Sequence, residues 1–201
     1  IWYFRPFDYV GVDRETGAAQ FRNHEGKIVA SSELTDEDMT DIGSAIPKFT
    51  YGITLNLEYK GFDFTAFGTG VAGNKIFNIL YRADSPLRNS LKYYMDNAWT
   101  PENKGASMPA VNNVATDLNF WSSSAAMFNG SYFKIKQLQL GYTLPKRLTQ
   151  KVAIKDLRFF VSLDDFFTFS NYPGMDPETA TTGNNGGAGF DIGSYPTMKK
   201  C

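Results

Sequence analysis

The chain has 201 residues, a formal net charge of -1, one histidine (His24) and one cysteine (Cys201). The balanced charge leaves no basic footprint for nucleic acid, the cysteine count excludes a disulfide framework or a cysteine-rich zinc site, and no run of 18 apolar residues offers a membrane-crossing helix. Crossing by strands stays open, because such strands hide their apolarity in every second residue. The chain starts at Ile1 and shows no basic-then-apolar leader, so it reads as a piece of a longer precursor.

Trp2 to Val12, rich in aromatics, reads as a strand interrupted near Pro6. Residues 13–46 form a long polar connection, of a length that is usually functional or mobile. Residues 49–59 alternate throughout. Phe49, Tyr51, Ile53, Leu55, Leu57 and Tyr59 share one face, and Thr50, Gly52, Thr54, Asn56 and Glu58 share the other. Eleven residues at about 3.3 Å each, tilted by about 45°, span roughly 25 Å, the height of a membrane-strand apolar band. Rings at both ends with aliphatics between suit two membrane interfaces around hydrocarbon.

Lys60-Gly61 predicts a tight hairpin, with Phe62 to Val71 returning. A second long connection, 72–127, follows. Within it Ser85-Pro86 and the spacing of Leu87, Leu91, Tyr94 and Ala98 predict one short loop helix near 86–97. Residues 131–143 form the next strand. Phe133 and Ile135 fall on odd positions and Leu138, Leu140 and Tyr142 on even ones, which predicts a β-bulge near Lys136-Gln137. The other reading is that Phe133 and Ile135 face inward above the membrane band. After a connection of about a dozen residues, 157–168 form a strand with Leu157, Phe159, Val161 and Leu163 on one face and Arg158, Ser162 and Asp164 on the other. A third long loop, rich in Gly, Asn and Thr, covers 170–193. Long and short connections thus alternate, which puts every long loop at one end. The expected fold is all-β, an antiparallel transmembrane β-barrel with long extracellular loops.

Several stretches, in this order and over about three quarters of the chain, resemble the C-terminal part of the SusC/RagA-like TonB-dependent transporters of Bacteroidetes outer membranes. They are Ile42 to Gly52 (IGSAIPKFTYG), the hairpin Tyr59 to Asp63, Trp99 to Asn103 (WTPEN), and Gly130 to Lys136 with Gly141 to Pro145. Asp165 to Thr168, Tyr172 to Glu178 (YPGMDPE) and Gly193 to Thr197 complete the set. The resemblance implies that residues 1–201 are the C-terminal portion of one large, plugged, 22-stranded barrel domain. The plug and most of the wall would lie elsewhere, beneath a SusD-like lipoprotein, with import of glycan or peptide oligomers driven by TonB through the absent N-terminal region. It implies outer-membrane lipid around the wall and no enzymatic role. The family's pattern has Asn where Asp164 or Asp165 stands, and its final strand runs on to an aromatic residue. The closing strand is therefore expected to be missing from this sequence, unless Cys201 is foreign to the natural chain.

No residue set argues for catalysis, a cofactor or a metal. Glu33, Asp36, Glu37, Asp38 and Asp41 read as a solvated loop surface, and the adjacent Asp164 and Asp165 point to opposite faces of a regular strand. Asp176-Pro177-Glu178 reads as a turn without the spacing of a calcium loop. The serines at 122–124 and Ser131 lack a partner histidine, and the glycines at 183–189 lack a phosphate-binding helix. Trp99, Trp121, Tyr93 and Tyr94, in the longest loop, are the candidate ligand or partner contacts, with packing of the loop as the competing role. Glu58, Lys134, Lys136 and Arg158 are the candidate lumen-facing residues. A soluble or surface-bound β-rich carbohydrate-binding protein is the competing function.

Overall fold

The computed structural model describes residues 3–79, 92–114, 117–152, 154–182, 187–193 and 195–201. In chain order the strands begin with β1 (Tyr3–Phe4), β2 (Asp8–Val12), β3 (Ala19–Arg22), β4 (Ile28–Ala30) and β5 (Gly43–Ser44). Next come the long β6 (Phe49–Tyr59) and β7 (Phe62–Ala72), then β8 (Lys75–Asn78), helices α1 (Lys92–Asn97), α2 (Val111–Val114) and α3 (Leu118–Trp121), and β9 (Met127–Asn129). The chain continues through β10 (Tyr132–Thr143), α4 (Lys146–Thr149), β11 (Arg158–Ser170), α5 (Pro177–Thr182) and β12 (Phe190–Asp191).

The four long strands form one antiparallel sheet in the order β11-β10-β7-β6. Lys60 (φ 48°) and Gly61 (φ 87°) make the tight turn that joins β6 to β7, pairing Tyr59 with Phe62. This left-handed pair is the geometry that two-residue hairpins demand, and glycine supplies its second half without strain. Register then fixes the faces. Tyr51, Ile53, Leu55 and Leu57 stand beside Gly70, Gly68, Ala66 and Phe64 of β7. These in turn flank Phe133, Ile135, Leu138 and Leu140 of β10, and beyond lie Phe169, Phe167, Leu163 and Val161 of β11. One uninterrupted apolar surface results, open to its surroundings: Ile53 is 58% exposed, Phe159 61% and Val161 67%.

The surface stays continuous because of the expected bulge. Ile135 pairs with Gly68 but Gln137 with Phe67, so Lys136 is the extra residue. It returns Leu138 and Leu140 to the face of Phe133 and Ile135, and the inward reading of those two falls away. β11 compensates with Asp165 in the left-handed region (φ 55°). Rings gather at both ends of the surface. Tyr51 stacks on Phe133 at 5.9 Å with planes 2° apart, Phe133 stacks on Phe169 at 6.4 Å, and at the other end Phe62 meets Tyr142 at 4.5 Å. Tyr51 and Phe133 can touch across β7 only because Gly68 and Gly70 lie between them. A Cβ on Gly70 would stand 2.4 Å from the Tyr51 ring, and one on Gly68 would stand 2.5 Å from Phe133.

All three long connections leave the same end of this wall, as the alternation requires. Among the described residues they carry short strands and helices. The first segment is a strand broken near Pro6, but it belongs to the loop layer: β1 pairs with β5, and β2 builds a three-stranded sheet with β3 and β4. Residues 13–46 are thus largely folded. Phe21 of β3 is fully buried with Phe7, Phe120, Trp121 and Met108. β8, β9 and β12 form another small sheet over Ile76, Tyr172 and Ala180, and Phe128 packs on both clusters. Of the helix expected near 86–97, α1 covers the last turns; residues 86–91 lie outside the described residues.

Adding bulk under the ring stack should strain the wall. Gly70→Val is expected to cost about 1–3 kcal/mol, measured as a lower denaturant midpoint of the full-length barrel in detergent. Thr54→Val, on the opposite face, serves as the control.

Candidate functional site

The reverse face of the wall is polar. Near the tight turn, Arg158 forks onto Asp63, with Nε donating to Oδ1 at 3.0 Å, and its guanidinium lies 5.2 Å from the centre of the Phe160 ring. Glu58 is paired in register with Asp63, and Thr65 donates to Asn56 at 3.0 Å. These groups and Gln139 line an open hollow of about 740 Å³. Carboxylates, a guanidinium and amides around an open hollow can hydrogen-bond polar solutes. Among the described residues no group of His, Cys, Asp and Glu side chains is arranged to hold a metal.

At the loop end of the same face lies a denser cluster. Lys134 is 2% exposed, and its Nζ donates to Asp176 at 2.9 Å, to Glu178 at 2.7 Å and to the Thr197 hydroxyl. Lys136, placed by the bulge, donates to Asp165 at 2.9 Å and to Glu178 at 2.7 Å. Thr197 also donates to Asp176 from its backbone N–H at 3.1 Å and its hydroxyl at 2.8 Å. Burial alone would push the Asp176 carboxyl up. Hydrogen bonds from Lys134, Thr197 and the Glu178 N–H outweigh it, and the group ends below its usual 3.8.

Glu58, Lys134, Lys136 and Arg158 therefore all lie on one face, opposite the apolar surface. Lys134 and Lys136 are engaged by carboxylates that the sequence had presented as a turn and as one of two adjacent residues on opposite strand faces. Asp164 and Asp165 do not point to opposite faces, because the bulge interrupts the period of 2. Ser162 donates to Asp164 at 2.8 Å while Asp165 holds Lys136. Asp63 was not singled out at all. Its signal was its place in β7, two residues past the turn, where it meets a basic residue of β11 only across β10.

The aromatic candidates serve the loop layer. Trp121 is buried between Phe120 and its neighbours, so packing takes up its ring. Trp99 is half-buried, donates to the Arg14 carbonyl at 3.0 Å and packs against Gly17, where a Cβ would lie 2.6 Å away. Tyr93 packs edge-on to Phe128 at 5.7 Å. Tyr94 belongs to α1, and its side chain lies outside the described residues. Tyr93, Tyr9, Arg14 and Lys104 border a hollow of about 520 Å³ in this layer. The last three were missed because they are distant in sequence.

TonB-dependent receptor P3 of Formosa agariphila is 32% identical over 195 residues, 93% of this chain and 18% of the relative. TonB-dependent receptor P26 of the same organism is 26% identical over 91% of this chain and 19% of its own length. The RagAB peptide importer in its closed-closed state superposes with a TM-score of 0.75 at 24% identity, covering 98% of this chain and 22% of that one. Its open-open state gives 0.76 at 23% identity, with 98% and 21% covered. The chain belongs to the TonB-dependent receptor family. It spans about a fifth of the curated relatives it matches. No family model matches this transporter fragment. Its four long strands are wall strands of a transmembrane β-barrel, and its apolar surface is the lipid-facing side.

The fragment's histidine, His24, closes the first loop against Asp38. The His24 backbone N–H and Nδ1 meet Asp38 Oδ1 at 2.9 and 2.7 Å, and Thr35 donates to the same carboxylate. The hydrogen bond to Asp38 raises His24 above 6.5, helped by Glu25 and Glu37, while donation from the His24 and Thr35 N–H groups holds Asp38 well below 3.8. The raised imidazole stabilises the fold fully below 6.5 and loses this effect as pH rises through its folded value. The depressed carboxyl contributes above 3.8 and loses its effect as pH falls through its folded value. The tie is tightest between those limits. Imidazole titration by NMR should place His24 above 6.5, and Asp38→Asn should bring it back.

Proposed function

We propose that the full-length protein imports complex nutrients, glycan or peptide oligomers, across the outer membrane, and that residues 1–201 are the C-terminal part of its single barrel domain. The observation that carries this reading is the two-sided wall: rings and aliphatics on one side, ion pairs and amides on the other. Lipid favours the first side and a water-filled passage the second. Glu58 and Arg158 face that passage, and Lys134 and Lys136 are its structural charges. Trp99 and Tyr93, which keep partial exposure, are the aromatic contacts of the loop end, where a SusD-like lipoprotein covers the barrel. TonB acts through a plug encoded elsewhere, and the protein transports its cargo without chemical change. The likeness to receptors and to a peptide importer supports transport over enzymatic function. The competing carbohydrate-binding reading needs the faces at 49–59 and 157–163 to meet in an internal core, and both are open.

Deletion of the gene in its own bacterium should abolish growth on one class of oligomer, peptide or glycan, as sole carbon source and leave growth on the monomers intact. Complementation should restore growth only when the TonB-contacting segment is present. Unchanged growth on every oligomer would remove the import reading. Affinity purification in mild detergent should bring down one stoichiometric surface lipoprotein.

A further inference from the structure

The loop layer is bonded internally by apolar contacts, and its contact with the wall includes a buried ionic cluster. Phe7, Phe21, Phe120 and Trp121 form its main core, Ile76, Tyr172 and Ala180 a second, and Phe128 joins them. Phe4 adds a further seam, meeting Phe77 at 6.1 Å and Phe190 at 5.3 Å. The Asn78 side chain donates to the Tyr172 hydroxyl at 3.1 Å, and that hydroxyl donates to Asp191. Where the layer meets the wall the bonding changes character. Lys134 and Lys136 stand on β10; Asp176 and Glu178 belong to the layer; Thr197 belongs to the C-terminal segment. That segment is itself tied to β11 by paired backbone bonds between Lys200 and Asp164. One buried ammonium thus joins three stretches of chain that are far apart in sequence.

We propose that Lys134 is the hub of a releasable ionic latch that holds the loop layer on the barrel wall, and that opening it lets the layer move as one body. The proposal stands independently of the import reading. Desolvating charges offsets most of what their attraction gains, so a buried cluster whose members all return to water together is cheap to open. Apolar seams are not, because opening one exposes surface without compensation. The cluster sets two cations against three carboxylates, counting Asp165, and this excess of negative charge also favours hydration on opening. One covalent crossing beside it is Gly73, between β7 and β8, at φ 81°.

The test uses pulsed spin-label distances in the full-length protein in detergent, with Cys201→Ser as background. A wall-to-layer pair is made by Lys60→Cys with Glu25→Cys, and a pair within the layer by Glu25→Cys with Glu102→Cys. Lys134→Gln, and independently Glu178→Gln should the first not fold, is expected to broaden the wall-to-layer distribution about twofold and leave the inner pair unchanged, while Lys134→Arg keeps both narrow. A wall-to-layer distribution unchanged in both variants would overturn the latch. Broadening of both pairs would overturn it equally, by making the cluster part of the layer's own core.

Discussion

Hydrocarbon offers a peptide group no hydrogen-bonding partner, so backbone that crosses a membrane must satisfy itself. In this chain β6, β7, β10 and β11 meet the constraint along three antiparallel seams, where they exchange their hydrogen bonds. Everything else follows from the pleat this imposes. Side chains divide between two faces, one sorted for lipid and one for water, and the connections sort with them: tight or modest at one end, long and folded at the other.

The wall was legible because its signal is long. Eleven residues of strict alternation at 49–59, a glycine turn and a parity change in β10 each specify geometry with little dependence on the rest of the chain. The loop layer was not legible, for the opposite reason. β3 and β4 hold four and three residues, too few to display a period, and Phe21 looks like a lone ring in a polar run until Phe7, Phe120 and Trp121 arrive from elsewhere. Lys134 and Lys136 were recognisable as residues of the polar face, but their partners 42 and 44 residues away could not be read from spacing.

The two layers use different physics for the same task. Tyr51, Phe133 and Phe169, from three strands, form a ring stack at one end of the apolar surface, the position where aromatic rings are enriched in membrane strands. A short distance away on the other side of the same strands, Lys134 is held by carboxylates. Strand β10 carries both, and Phe133 and Lys134 are neighbours in sequence. The wall is thin enough that a single peptide unit separates the lipid interface from the ionic seam.

The extra residue at position 136 sets a rule of inheritance. Above it the outward side chains of β10 are odd-numbered, below it they are even, and the strand is correct only as a sum of the two. Loss of one residue on either side of the bulge would turn part of the strand inside out, sending glutamine into lipid and leucine into water. Length in this strand can drift only in steps of two, or by a loss at the bulge itself matched by the neighbouring strands. Relatives that lengthen or shorten their loops freely should therefore keep the count along this segment, even where hardly a side chain is shared.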